Sequence, residues 1–209
     1  MFNKVLVLAP HADDAEFGCG GTVARFLEEQ KEVYCAVFSA DKISIPPGYP
    51  EDVLKQELLK SMRVLGIPAE RLLLYNYKVR DFPANRQDIL DNLILLKNQL
   101  KPDLIILPSR HDIHQDHLTI VREGIRAFKD TTVLGYEEPW NNLQFEHTCF
   151  VPLEERHLQK KLAAIKCYAS QAFRYFNNED FLRSLARVRG TQIKSPYAEL
   201  FEVIRLIVK

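Results

Sequence analysis

Cysteine is scarce and scattered: Cys19, Cys35, Cys149 and Cys167 form no C-x-x-C pair. Cys35 and Cys149 lie in apolar, strand-like runs, so buried thiols are expected rather than disulfides, and with them a reducing, cytoplasmic setting. No apolar run approaches the ~20 residues that cross a bilayer, so no membrane span is expected. Met1-Phe2-Asn3-Lys4 leads into only five apolar residues before Pro10, too few for a secretory signal. Excess charge is absent as well, with 28 basic residues against 28 acidic, and nothing calls for nucleic acid or an anionic membrane as partner. Repeats, low-complexity tracts and long Gly/Ser linkers are also missing. With 209 residues, the chain can bury one substantial core, and residues 1–209 are expected to form a single domain.

What is present is alternation. Strand-like runs at 4–9, 33–39, 71–75, 103–107 and 132–136 are separated by helical patterns at 22–30, 51–65, 86–100 and 117–129. Such an order predicts right-handed βαβ crossovers and an α/β, three-layer Rossmann-like fold: a mostly parallel sheet with helices on both faces. In the helix from Arg86, the spacing of Ile89, Leu93, Leu96 and Leu100 makes a core-facing stripe. The last third predicts a strand at 147–153, helices at 154–168 and 178–189, and a closing strand at 198–208. Pro46-Pro47-Gly48-Tyr49-Pro50, after the second strand, is a candidate lid or wall.

Two polar clusters follow two apolar strands. Val5-Leu6-Val7-Leu8-Ala9 runs into Pro10-His11-Ala12-Asp13-Asp14-Ala15-Glu16, and Leu104-Ile105-Ile106-Leu107 precedes His111-Asp112-Ile113-His114-Gln115-Asp116-His117. Ligands of open α/β sheets bind at the carboxyl ends of strands. Imidazole and carboxylate together suit Zn2+, whose catalytic sites use three protein ligands and a water. Adjacent side chains on an extended segment diverge. One of Asp13 and Asp14 is therefore expected on the metal and the other near its water, whose pKa falls towards ~7, as a base. His117, opening the next helix, is the natural third ligand. If Asp116 meets His114, two residues before it, it would fix that imidazole's tautomer and raise its pKa, and a protonated His114 could hold an oxyanion and protonate a leaving amine. Metal-assisted hydrolysis of an amide or ester is the reaction class that follows.

The first cluster, continuing into Phe17-Gly18-Cys19-Gly20-Gly21-Thr22, resembles the HPDDxE…GG signature of the PIG-L/LmbE-type zinc de-N-acetylases, and His114-Gln115-Asp116-His117 resembles that family's HxDH motif. Gly66-Ile67 after the second helix, Tyr168-Ala169-Ser170-Gln171, Arg189-Gly190 and Tyr197-Ala198-Glu199-Leu200-Phe201 extend the resemblance over nearly the whole chain. It implies His11, Asp14 and His117 as metal ligands, Asp13 as general base, and His114 as oxyanion stabiliser and acid with Asp116 as its partner. It also implies Zn2+, with Fe2+ or another divalent ion as the alternative. The implied substrate is a small N-acetylated sugar conjugate of the N-acetylglucosamine type, giving acetate and a free amino sugar, and a homo-oligomer would fit the family.

Ala12 replaces the family's usual proline, and Leu54 stands where some members carry a substrate-contacting arginine. Lys55, Arg80 and Arg86 are candidates to substitute for it, and Trp140 and Asn141 for a sugar-binding wall. Glu16 either lines the pocket or tethers its turn. His111 is expected at the rim or in a structural role, Asp112 is expected to hydrogen-bond within its loop or orient a neighbouring group and is not assigned as a ligand, and His147 and His157 are expected to be structural. Two other readings compete. A receiver-like Mg2+-binding signalling domain also places paired aspartates after its first strand, but Tyr75-Asn76-Tyr77 offers no phosphoacceptor aspartate, and histidines do not suit Mg2+. A sugar- or metal-binding protein without catalysis would have no use for Asp13, His114 and Asp116 together.

Overall fold

The computed structural model describes residues 2–208. Its elements are β1 (Lys4–His11), α1 (Asp14–Glu28), β2 (Glu32–Ser39), α2 (Val53–Leu65), β3 (Leu72–Leu74), α3 (Arg86–Leu100), β4 (Leu104–Pro108), α4 (Gln115–Ala127), β5 (Thr132–Tyr136), β6 (Cys149–Leu153), α5 (Glu155–Ile165), α6 (Glu179–Gln192) and β7 (Tyr197–Arg205). The sheet order is β3-β2-β1-β4-β5-β7-β6. Strands β1 to β5 pair in parallel, and β7 runs antiparallel to both β5 and β6.

The pleat of β1 builds both halves of the core. Val5, Val7 and Ala9 pack with residues of α1, α2 and α5, whereas Leu6 and Leu8 pack with Ile89 and Leu93 of α3 and Ile120 of α4. A strand buried on both faces needs an unbroken apolar run, which β1 has. The order reverses beside β1, with β2 on one side and β4 on the other, so the crevice of the sheet opens at the ends of the two strands that carry the polar clusters.

Helix α1 begins at Asp14, eight residues before the expected start at Thr22, and runs through the glycines. Tertiary contacts override their poor helix propensity. A Cβ on Gly18 would lie 2.2 Å from the Tyr136 ring, and one on Gly21 2.5 Å from Leu153. The helix bends at Cys19 (φ −148°, ψ 19°). Phe17 O and Gly21 N–H would be partners in a regular helix, and here each has a side-chain partner. Lys161 Nζ donates to Phe17 O (2.6 Å), while Glu199 accepts from Gly21 N–H (3.0 Å) and Thr22 N–H (2.6 Å). Lys161 and Glu199 pair with each other at 2.7 Å. The backbone groups of Phe17, Gly21 and Thr22 at the bend are thus satisfied by side chains.

Candidate active site

At the end of β1 the chain turns through Ala12 and Asp13 into α1. Asp13 takes a positive φ of 89°, a region Asp tolerates better than most residues. The His11 N–H donates to Asp14 Oδ2 at 2.7 Å and closes the turn. Neighbouring carboxylates are thereby sent apart. Asp14 is buried against the histidines, while Asp13 makes no capping hydrogen bond and lines the cavity in front of them.

The second cluster is set by α4. His114 is its N-cap: the imidazole Nδ1 accepts the Asp116 N–H at 3.2 Å. Asp112 accepts the His114 N–H (2.7 Å) and, through its other oxygen, holds His117 Nδ1 at 2.8 Å. His117, the third residue of α4 rather than its opening one, is buried and presents Nε2 to the first cluster.

Three donor atoms converge there. His11 Nδ1 and His117 Nε2 are 3.2 Å apart, His11 Nδ1 and Asp14 Oδ2 3.4 Å, and His117 Nε2 and Asp14 Oδ2 3.3 Å. A tetrahedral ion with bonds of about 2.0–2.1 Å has ligand-to-ligand edges of about 3.3–3.4 Å, so this triangle has the size of one face of such a site. Nitrogen donors suit zinc and iron better than Mg2+. His114 and Glu138 flank the triangle: His11, His114 and His117 form one group with ligand atoms within 4.8 Å of one another, and Asp14, His117 and Glu138 form another.

The electrostatics follow the geometry. Burial opposes charge on His117, but Asp14 and Asp112 outweigh it and raise its pKa well above the usual value. Burial likewise opposes charge on His11, and Asp116 and Asp14 raise it. The two imidazoles in turn hold Asp14 below the ordinary carboxylate range despite its burial. Asp13 goes the other way, pushed well up by burial and the adjacent Asp14, with Arg174 partly offsetting the rise.

Two expectations are corrected. The Asp116 carboxylate does not meet the His114 ring: it bonds His11 Nε2 at 2.9 Å and accepts the backbone N–H groups of Arg80 (2.6 Å) and Phe82 (3.3 Å). Nor is His114 raised. Burial and the charges of His117 and His11 lower its pKa to about 4. With Nδ1 used as an acceptor, the neutral ring carries its proton on Nε2 and is a hydrogen-bond donor rather than an imidazolium.

The cavity, about 270 Å3, is lined by His11, Asp13, Asp14, His114 and His117, and by Arg80, Trp140 and Asn141. Trp140 stacks on Phe176 (4.1 Å, 7°), and the Asn141 amide donates to Glu138 Oε2 at 3.2 Å. Leu54 lines the same cavity, whereas Lys55 is exposed outside it and Arg86 pairs with Glu123 in a separate groove. Glu16 resolves to a tether: fully buried, it accepts hydrogen bonds from Ser61 and from the Tyr168 hydroxyl (2.8 Å). Residues 46–50 do not line the cavity, although Tyr49 donates to Ala169 O (3.4 Å). His111 stays outside it, 3.7 Å from Glu202, and His157 belongs to the capping box of α5.

Sequence reasoning missed Glu138 and Arg174, and it quoted Gln171 within a segment resembling the family without giving it a role. Glu138 follows the end of β5, so the strand-end logic that found the other clusters would have found it too. It is buried, has one oxygen without a hydrogen-bond partner, and its pKa is pushed well up by burial and the charge of Asp14. Gln171 and Arg174 lie in an irregular segment with no periodic signal.

Residues 6–128 match the family model described as GlcNAc-PI de-N-acetylase, PIG-L. An uncharacterized deacetylase, YaiS, of Escherichia coli (strain K12) is 30% identical over 173 residues, covering 79% of this chain and 90% of its own length. Among solved structures, the N,N'-diacetylchitobiose deacetylase of Pyrococcus horikoshii superposes with a TM-score of 0.80 at 21% identity, covering 97% of this chain and 84% of its own. GalB, the 4-carboxy-2-hydroxymuconate hydratase of Pseudomonas putida KT2440, superposes with a TM-score of 0.79 at 19% identity, covering 99% and 98%. The last two likenesses establish a shared fold and leave the reaction to be argued from the site.

Proposed function

This chain belongs to the PIG-L family, and on that premise we propose that it is a metal-dependent hydrolase that removes the N-acetyl group from an N-acetylglucosamine-type conjugate. The observation that carries the reading is the triangle of His11 Nδ1, Asp14 Oδ2 and His117 Nε2, with Asp13 beside it on the cavity wall. Those three residues would hold Zn2+, and Fe2+ suits the same donors. When bound, a divalent ion supplies Lewis acidity that polarises the acetamide carbonyl and makes water a nucleophile near neutral pH.

The chain's own residues supply the rest. Burial and the adjacent Asp14 raise the pKa of Asp13 above the usual carboxylate range, which makes it a stronger base than a free carboxylate. It takes a proton from the attacking water as the new C–O bond forms. His114 lines the same cavity and donates Nε2–H to the carbonyl oxygen as negative charge develops on it. Because His114 is neutral and already accepts at Nδ1, the proton for the departing amine comes from Asp13, which returns the one it took. The C–N bond then breaks, giving acetate and the amino sugar. One carboxyl serves as base and then as acid.

The test measures metal content and acetate release together, on zinc-loaded and chelated protein, against a panel of N-acetylglucosamine conjugates. Zinc near one per chain and acetate release that depends on it are expected. Asp13→Asn should keep the metal and lose about 10²–10⁴-fold in turnover. Failure of the folded protein to take up metal, or near-normal hydrolysis by Asp13→Asn, would overturn the assignment.

A further inference from the structure

The buried carboxylate of Asp116 sits in a cradle made by a distant part of the chain. Between β3 and α3 the backbone turns at residues 78–81, where the Asp81 N–H donates to Lys78 O at 3.2 Å, and Val79 and Arg80 of this turn line the cavity. Arg80, the third residue of the turn, has a φ of 69°. Its N–H donates to Asp116 Oδ2 (2.6 Å), and the Phe82 N–H donates to Asp116 Oδ1 (3.3 Å). Backbone N–H groups around such a turn form a concavity that holds an anion, and here the anion is one of the protein's own side chains. The same Oδ2 meets His11 Nε2 at 2.9 Å.

The turn is held from several sides. Gln115 Nε2 donates to Arg80 O (3.3 Å), Asp41 Oδ2 accepts the Val79 N–H (3.1 Å), and the buried Phe82 ring lies 5.6 Å from the His11 ring. A positive φ at the third position of a turn ordinarily goes to glycine or asparagine, because a Cβ is crowded there. Arginine stands there instead, and such strain persists where the surrounding contacts over-determine it. The positive φ sets the angle between the peptide planes on the two sides of residue 80, so that the N–H groups of 80 and 82 converge on one carboxylate. At a negative φ they diverge, and Asp116, which is fully buried, loses donors that a buried carboxylate needs.

Asp116 is thus the link between one backbone conformation and one corner of the donor triangle. A carboxylate on the outer nitrogen of a ligating imidazole fixes its tautomer and its orientation, provided that the carboxylate is itself held in place. We propose that Arg80 is a positioning residue for the metal ligand His11, acting through its left-handed backbone and Asp116 rather than through its guanidinium. The proposal rests on the reading of His11, Asp14 and His117 as metal ligands and extends that site to a residue whose side chain need not touch the metal. It separates two properties of position 80: the side chain on the cavity wall, and the φ angle that serves the metal site.

The experiment uses the full chain with Zn2+ and, as a spectroscopic reporter of ligand geometry, with Co2+. Arg80→Gly, Arg80→Ala and Arg80→Val all remove the guanidinium and differ in how readily the backbone takes a positive φ. Glycine takes it freely, alanine at a cost like that of arginine, and valine worst of the three. Zinc affinity, read by competition with a chromophoric chelator, should be at or above the wild-type value in Arg80→Gly and close to it in Arg80→Ala. In Arg80→Val it should fall about tenfold or more, with the cobalt absorption bands altered in that variant alone. Arg80→Thr replaces Arg80→Val should the latter not fold. In an Asp116→Ala background Arg80→Val should cost nothing further, because the route through Asp116 is already gone. Equal affinities in Arg80→Gly and Arg80→Val, or full additivity with Asp116→Ala, overturn the proposal. If the folded wild type takes up neither metal, the metal reading fails, and the imidazole nitrogen NMR signals of the metal-free protein decide the positioning role. The His11–Asp116 bond should then persist in Arg80→Gly and be lost in Arg80→Val, and a His11 signal unchanged in both overturns it.

Discussion

The carboxylate of Asp116 meets Nε2 of His11 at 2.9 Å, across 105 positions of sequence, rather than the imidazole of His114 two positions away. Asp112 does the same for His117, holding Nδ1 at 2.8 Å. Each imidazole of the donor triangle therefore has a carboxylate on the nitrogen that faces away from it, which sets the tautomer and strengthens the other nitrogen as a donor. Asp116→Ala and Asp112→Ala should each weaken zinc affinity by about 10–100-fold while leaving the protein folded. Competition against a chromophoric chelator measures this directly. If Asp116→Ala kept full affinity and lost only turnover, Asp116 would be acting on the reaction and not on the ligand.

The two clusters were legible in sequence because each sits at the end of an apolar strand, where topology leaves little choice of position. The pairing of Asp116 was not legible. From spacing alone His114 is the nearer partner, but α4 turns the Asp116 backbone N–H towards that ring and sends its carboxylate towards β1 and the N–H groups of Arg80 and Phe82. The start of α1 was misplaced for a related reason. Gly18, Gly20 and Gly21 are poor helix formers, so the helical pattern reads only from Thr22, and the close packing of Tyr136, Lys161, Leu153 and Glu199 against them is what makes small residues necessary in this helix. Partners distant in sequence decide both outcomes, and no local pattern encodes them.

The bend in α1 depends on a buried pair. Lys161 and Glu199 are each about nine-tenths or more buried, and together they serve the donor and acceptor groups around Cys19. Lys161→Met removes one charge and leaves Glu199 uncompensated in the interior, a change that typically costs about 3–5 kcal/mol. Glu199→Gln should destabilise as well, since Gly21 and Thr22 donate to different carboxylate oxygens and an amide keeps only one of them, while Lys161 loses its partner charge. Urea unfolding of the two variants gives the comparison. Equal midpoints for Lys161→Met and wild type would show that the pair contributes nothing to the bent helix.

Far from the cavity, Glu28 receives Arg156 Nε at 3.0 Å and His157 Nε2 at 2.6 Å. His157 Nδ1 accepts the Glu154 N–H (3.0 Å), so its proton sits on Nε2 and is donated to Glu28. Arg156 first, and His157 after it, pull the Glu28 carboxyl down to about 2. The folded value lies below the unfolded one of about 4.3, so this contribution to stability is complete above that pH and is lost as pH falls through the folded value. Glu28→Gln should therefore lower Tm relative to wild type at pH 6, and the gap should narrow steadily as the pH is taken down from about 4 towards 2. The carboxylate is exposed, so added salt should shrink the gap at pH 6 as well. Thermal melts of both proteins across that range decide the matter. A gap that stayed constant from pH 6 to about 2 would mean that the charge on Glu28 has no part in holding α5 against α1.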